Sequence, residues 1–104
     1  MEIFIFVILL SIFVIFLFMS KKKEIPKKLT FYYTDWCHYC TEFKPIWHLL
    51  RNKLSIPAFE VNCSYMENPP VHSFPTIMLD INGRQIEYVG DRTIEGITDF
   101  INIH

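Results

Sequence analysis

The sequence has no surplus of charge of either sign. Ten lysines and arginines stand against eleven aspartates and glutamates in 104 residues, a formal net charge of −1. A nucleic-acid partner would call for a basic stripe, so this balance gives no support for one. Internal repeats are absent, and so is any low-complexity stretch beyond the N-terminal region. Between Ile3 and Met19 charge is absent altogether: IFIFVILLSIFVIFLFM carries Ser11 as its sole polar side chain. The run has no polar stripe, which argues against a buried core helix packed on one face. It also lacks a basic flank before it and a small-x-small cleavage site after it, which argues against a cleaved signal peptide.

A helix over those 17 residues is about 26 Å long, at the short end of what spans a bilayer. Its backbone groups are satisfied internally and its side chains suit lipid, so the expectation is an uncleaved membrane anchor. Five lysines follow in KKKEIPKK, Lys21 to Lys28, whereas only Glu2 and the terminal amine precede the run. The positive-inside rule then places the remainder in the cytoplasm, and the same lysines suit anionic headgroups. About 80 residues remain, enough for one small domain.

In that part, Leu29 to Thr34 (LTFYYT) is β-branched and aromatic with apolar character on both faces, as in the middle strand of a sheet. Phe43, Ile46, Trp47, Leu50 and Leu54 recur at helical spacing from Cys37 to about Leu54, with a bend expected at Pro45. Ala58 to Cys63 reads as a second strand. Pro69-Pro70 forbids a long element in Ser64 to Ser73. Thr76 to Ile81 and Arg84 to Val89 flank Asn82-Gly83, the signature of a hairpin with a type I′ turn. Thr93 caps a last helix to His104, with Ile94, Ile97, Phe100 and Ile101 on one face. Strand, helix, strand, hairpin and helix in this order predict an α/β domain with a mixed sheet and a helix on each face.

Two cysteines, Cys37 and Cys40, stand at i and i+3 where the first helix begins. That spacing can close a small disulfide, and unpaired helix N–H groups with the macrodipole favour a thiolate on the first sulfur. Cys37 is then the attacking thiol, and Cys40, one turn inside, resolves the mixed disulfide. Zinc is the rival chemistry, with Cys37, Cys40, Cys63 and His72 as a Cys₃His set. A structural site normally has a second tightly spaced pair, and Cys63 and His72 do not make one. Cys63 reads as an inert buried thiol. His48 and His104 read as exposed.

FYYTDWCHYCTEFKPIW, the FPT of Phe74 to Thr76, and YVGDRTIEGITDFI from Tyr88 to Ile101 together resemble the thioredoxin superfamily, most of all the catalytic domains of protein disulfide isomerases. The resemblance covers Leu29 to the C-terminus and implies a minimal thioredoxin-like fold, a mixed four-stranded sheet flanked by helices, preceded by one transmembrane helix. It implies that Pro75 is cis and lies against the cysteines, and that Phe74 offers its backbone to a substrate peptide. It also implies that Trp36 packs beside the disulfide. Arg92 matches an arginine that approaches the resolving cysteine and eases its ionisation. Between the cysteines, His38 when protonated favours thiolate on Cys37, and Tyr39 is similar to the second residue of the glutaredoxin pair.

Two departures stand out. Six residues before Cys37 the superfamily has a buried acid that moves protons for the resolving thiol, and this chain has Phe31. The superfamily's opening strand and helix are missing too. The expectation is therefore an anchor over 1–20, a Lys-rich linker over 21–28 and a thioredoxin-like domain over 29–104. The chain is expected to be a membrane-held thiol–disulfide oxidoreductase acting on protein thiols and disulfides, with no cofactor, no metal and no nucleic-acid partner. Phe31 keeps a second reading open, a tethered binding module without catalysis. The compartment expected from the lysines is the cytoplasm, and the one implied by the resemblance is the endoplasmic reticulum lumen.

Overall fold

A computed structural model describes residues 2–19 and 25–104. The lysines at 21–23 that supported the expected linker and its orientation lie outside the described residues.

Helix α1 spans Glu2–Met19, and its side chains from Ile3 to Leu17 are exposed on every side. Among the described residues no helix is long and apolar enough to cross a membrane. The 18 residues of α1 rise about 27 Å, against a hydrocarbon core of about 30 Å. The span expected over Ile3–Met19 is thus realised as a helix, but not as a demonstrated membrane crossing.

The second part follows the predicted order: β1 (Lys27–Tyr33), α2 (His38–Lys53), β2 (Ala58–Asn62), β3 (Thr76–Ile81), β4 (Arg84–Glu87) and α3 (Ile94–Ile103). One four-stranded sheet has the order β2-β1-β3-β4. β1 pairs parallel with β2, Leu29 opposite Ala58, and antiparallel with β3, Leu29 opposite Leu79. An interior strand has neighbours on both edges, and the consecutive burial of Leu29, Thr30 and Phe31 reflects it. β1 begins two residues earlier than the apolar run predicts. The backbone of Pro26 and Lys27 already pairs there, with Asn82 N–H donating to Pro26 O at 3.0 Å and Lys27 opposite Ile81. The hairpin turn has Asn82 at φ 52° and Gly83 at φ 88°, the positive angles that a type I′ turn demands.

The expectation of a helix on each face is corrected. Leu29 and Phe31 of β1 and Ile77 and Leu79 of β3 point to one side by strand alternation, and there they meet Phe43, Trp47 and Leu50 of α2 together with Ile97 and Ile101 of α3. Both helices therefore share a face. Period-2 patterning shows that a strand has two apolar sides but not which helix covers which. Thr30, Phe59, Val61 and Met78 alternate to the other side, where Phe59 is exposed. Pro45 lies inside α2 without ending it.

Candidate active site

The reacting end of the molecule is where parallel β1 and β2 both stop. After Tyr33 the chain turns, and Cys37 N–H donates to Thr34 O at 3.3 Å. Cys37 keeps extended angles (φ −83°, ψ 110°) and is the N-cap of α2. Its sulfur does what a Ser or Asp oxygen does at that position, accepting the N–H of Cys40 at 3.2 Å. Its carbonyl begins the helix ladder by accepting from Thr41 N–H at 3.2 Å. The first turn of α2 has no acidic residue. Negative charge on Cys37 Sγ therefore meets an aligned N–H and the positive end of the helix, with no carboxylate in that turn to oppose it.

Cys37 and Cys40 are joined in a disulfide, their Cα atoms 5.2 Å apart. The two sulfurs have different surroundings. Cys37 is half-buried, while Cys40 is fully buried in the core beside Phe43 and Trp47. Of the two sulfurs, Cys37 is therefore the one open to an incoming thiol or disulfide.

The peptide bond between Phe74 and Pro75 is cis. Thr76 opens β3 opposite Tyr32, near the end of β1, and this register brings Pro75 to the same end of the sheet as Cys37. Thr76 Oγ1 donates to Ser73 O at 2.6 Å and fixes the turn that delivers the proline. Phe74 is half-buried against the core.

The remaining expected residues are placed differently from one another. Trp36, the residue before Cys37, is 72% exposed, and the buried indole is Trp47. His38 Nε2 lies 3.0 Å from Glu42 Oε1, and its ring meets Tyr39 edge-on at 5.7 Å. The imidazole is thus turned along the helix surface toward a carboxylate. The Arg92 guanidinium rests over the Tyr39 ring, 5.6 Å from its centroid, beside a recess it lines with Glu42, Phe43 and Ile46. Phe31 is completely buried and packs on Phe43, Trp47 and Tyr33 at ring separations of 5.0, 5.4 and 5.4 Å. Cys63 is a free, buried thiol whose titration burial pushes up, as suits an inert sulfur. Among the described residues no three of His, Cys, Asp and Glu gather to hold a metal ion.

Sequence reasoning passed over a polar network beside the cysteines. Asp35 N–H donates to Ser64 Oγ at 2.7 Å, and Asn62 Nδ2 donates to Asp35 Oδ1 at 2.9 Å. Ser64 in turn gives its N–H and its hydroxyl to Asn62 Oδ1, at 3.0 and 2.5 Å. Asp, Asn and Ser at strand ends read only as turn formers. Nothing local marks Asp35 and Asn62 as partners, and parallel pairing of β1 with β2 is what brings them together.

A thioredoxin family model matches residues 18–103. A protein disulfide-isomerase of Gallus gallus is 30% identical over 79 residues, covering 67% of this chain and 15% of that protein. A protein disulfide-isomerase of Schizosaccharomyces pombe is 30% identical over 95 residues, covering 81% of this chain and 26% of that protein. The chain thus spans about a quarter or less of the curated relatives it matches. Among solved structures, the J-Trx1 fragment of ERdj5 superposes with a TM-score of 0.69 at 22% identity, over 76% of this chain and 41% of that one. The first thioredoxin domain of mouse protein disulfide-isomerase A4 gives 0.63 at 23% identity, over 83% of this chain and 66% of that one.

Proposed function

The chain belongs to the thioredoxin family, and on that premise we propose that it is a thiol–disulfide oxidoreductase working on protein substrates through Cys37 and Cys40. The observation that carries this reading is the pairing of a half-buried Cys37, capped by the Cys40 N–H at 3.2 Å, with a fully buried Cys40.

In the reducing direction the Cys37 thiolate attacks one sulfur of a substrate disulfide. A Cys37–substrate bond forms, the substrate S–S bond breaks, and the freed substrate thiolate takes a proton from solvent. The Cys40 thiolate then attacks Cys37 Sγ, the Cys37–Cys40 bond forms, and the second substrate thiolate departs. Two electrons pass from the cysteine pair to the substrate, and run backward the same steps oxidise a dithiol. Pro75 and Phe74 line the approach to Cys37. Arg92, parked on Tyr39, and His38, paired with Glu42, are the groups placed to adjust the charge around the first turn of α2.

A reduction potential measured against glutathione buffers, with thiol trapping as readout, tests the reading. A value of about −270 mV makes the chain a reductase and one of about −180 mV or above makes it an oxidant or isomerase. Cys37→Ser is expected to abolish exchange with every disulfide. A pair that stays reduced at all potentials would instead favour the tethered binding module, the reading that buried Phe31 supports.

The proposal extends to the membrane. From Ile3 to Val14 the described side chains of α1 are exposed and, Ser11 apart, apolar on every side, a surface that lipid suits. A shortfall of about 3 Å against the hydrocarbon core is within what local thinning of a bilayer accommodates, at fractions of a kcal/mol per Å. The lysines after α1 put the catalytic part on the cytoplasmic side by the positive-inside rule.

A further inference from the structure

Cys40 is fully buried, and burial disfavours a thiolate. Phe31 offers it neither a base nor a counter-charge. The charged groups packed around this part of the molecule are mostly engaged with one another. Arg92 rests over Tyr39 beside Glu42, and Glu42 also meets His38. Glu60 of β2 meets His48 and Arg51, and Asp35 is held by Asn62. Lys44 belongs to none of the ion pairs among the described residues. Its Nζ lies instead 4.2 Å from the centroid of the Tyr33 ring, which stacks on Phe31 at 5.4 Å. The ammonium is thus one ring away from the side chain that stands where the resemblance implies an acid.

Lys44 is half-buried and follows Cys40 by one turn of α2. Residues four apart on a helix share a face with Cβ atoms about 5–6 Å apart, and the later side chain leans back over the earlier turn. An aromatic face holds a cation in place without neutralising it. The phenol does not neutralise it either. Burial, then the charges of Glu60 and Asp35, raise the titration of Tyr33 and keep its hydroxyl protonated at neutral pH. A cation held without an anion, one turn from a sulfur that must ionise, has that sulfur as its partner.

We propose that the Lys44 ammonium, steadied on the Tyr33 ring, is the counter-charge for the Cys40 thiolate in the resolving step. The proposal rests on the exchange reading above and deepens it at the second sulfur. In that step Cys40 gives its proton to solvent and attacks Cys37 Sγ. The Cys37–Cys40 bond forms, the bond from Cys37 to the substrate sulfur breaks, and the electron pair of the broken bond leaves with the substrate. Lys44 keeps its proton throughout, so it favours the ionised sulfur without entering the balance. It lies about two turns from Cys37, so the first attack is not its task.

The test mixes the reduced full chain, in detergent micelles, with dithiobis(nitrobenzoate). Attack by Cys37 releases one thionitrobenzoate and leaves another bonded to Cys37, and attack by Cys40 releases the second, so absorbance reads the two steps separately. Cys37→Ser gives the background from the other thiols. Lys44→Met keeps the length of the stem and removes the charge. It is expected to move the pH profile of the second release up by about one pH unit, a loss of about tenfold on the rising limb, and to spare the first release. Lys44→Arg is expected to bring the profile back. A profile that Lys44→Met leaves in place overturns the proposal, and so does a loss of equal size at every pH, which is what disturbed packing alone would give. A profile moved by Tyr33→Phe and not by Lys44→Met would make the phenol the titrating group and overturn it as well. Release no faster than the Cys37→Ser background removes the exchange reading and this proposal with it, whereas a normal first release with an unmoved second profile removes the role of Lys44 alone.

Discussion

At the scale of the residue, Phe31 is the side chain that sets this chain apart. Its buried phenyl ring, at the position where the resemblance implies an acid, makes three aromatic contacts, each worth about 0.5–1.5 kcal/mol beyond its buried area. A phenyl ring cannot accept a proton, so on the exchange reading proposed above any proton taken from Cys40 goes to solvent or to another group. Two other side chains make stability depend on pH. Burial raises the titration of Cys63 from its ordinary 9.0. Burial, then the negative charges of Glu60 and Asp35, raise that of Tyr33 from 10.0. At neutral pH both groups are protonated in the folded and in the unfolded chain, and their contribution is fully present. Above about pH 9 the unfolded chain releases these protons first and so binds fewer of them, and stability falls as pH rises. The urea midpoint is expected to be lower at about pH 10 than at about pH 8, and Cys63→Ala should flatten part of that decline.

At the scale of the element, α2 and α3 are begun by side chains that do two jobs or sit in tight quarters. Cys37 is the cap of α2 and the proposed nucleophile, so its substitution is expected to remove a helix cap along with the chemistry. α3 starts on Thr93, whose hydroxyl accepts the Gly96 N–H at 3.0 Å. Gly96 faces the Tyr88 hydroxyl, which donates to Asp91 O at 2.6 Å and is thereby fixed over the first turn. A Cβ at Gly96 would lie 2.5 Å from that oxygen and 3.1 Å from Asp91 O. Helix propensity alone favours Ala over Gly by about 0.8–1 kcal/mol. The overlap is expected to win, because the tyrosine oxygen is tethered and the carbonyl belongs to the backbone. Gly96→Ala should lower the thermal midpoint, and adding Tyr88→Phe, which removes the crowding oxygen, should recover part of the loss. A raised midpoint in the single variant would mean that Tyr88 gives way.

At the scale of the whole molecule, α1 and the domain present opposite surfaces. The domain buries its apolar residues between one sheet face and two helices, while α1 exposes its apolar residues all round. The full chain is expected to float with phospholipid vesicles on a density gradient, and a chain lacking 2–19 to remain at the bottom. Protease added to sealed cytoplasm-side-out membranes should cut the domain. Flotation of the shortened chain would move the membrane contact from α1 to the domain.

Much of this protein was legible in the sequence because the deciding interactions are local. Asn82-Gly83 wrote the hairpin, Thr93 the start of α3, and Trp36-Cys37-His38-Tyr39-Cys40 the reacting pair, each through neighbours in the chain. Ile3 to Met19 determined an apolar helix in the same way. Tertiary structure alone decided three things. It placed α2 and α3 on the same face of the sheet, because a strand with two apolar sides does not say which side each helix takes. It buried Cys40 and left Cys37 reachable, because burial depends on Phe43, Trp47 and the sheet together. And it joined Asp35 to Asn62 and Ser64, because residues 27 and 29 positions apart meet only once β1 and β2 lie in parallel register.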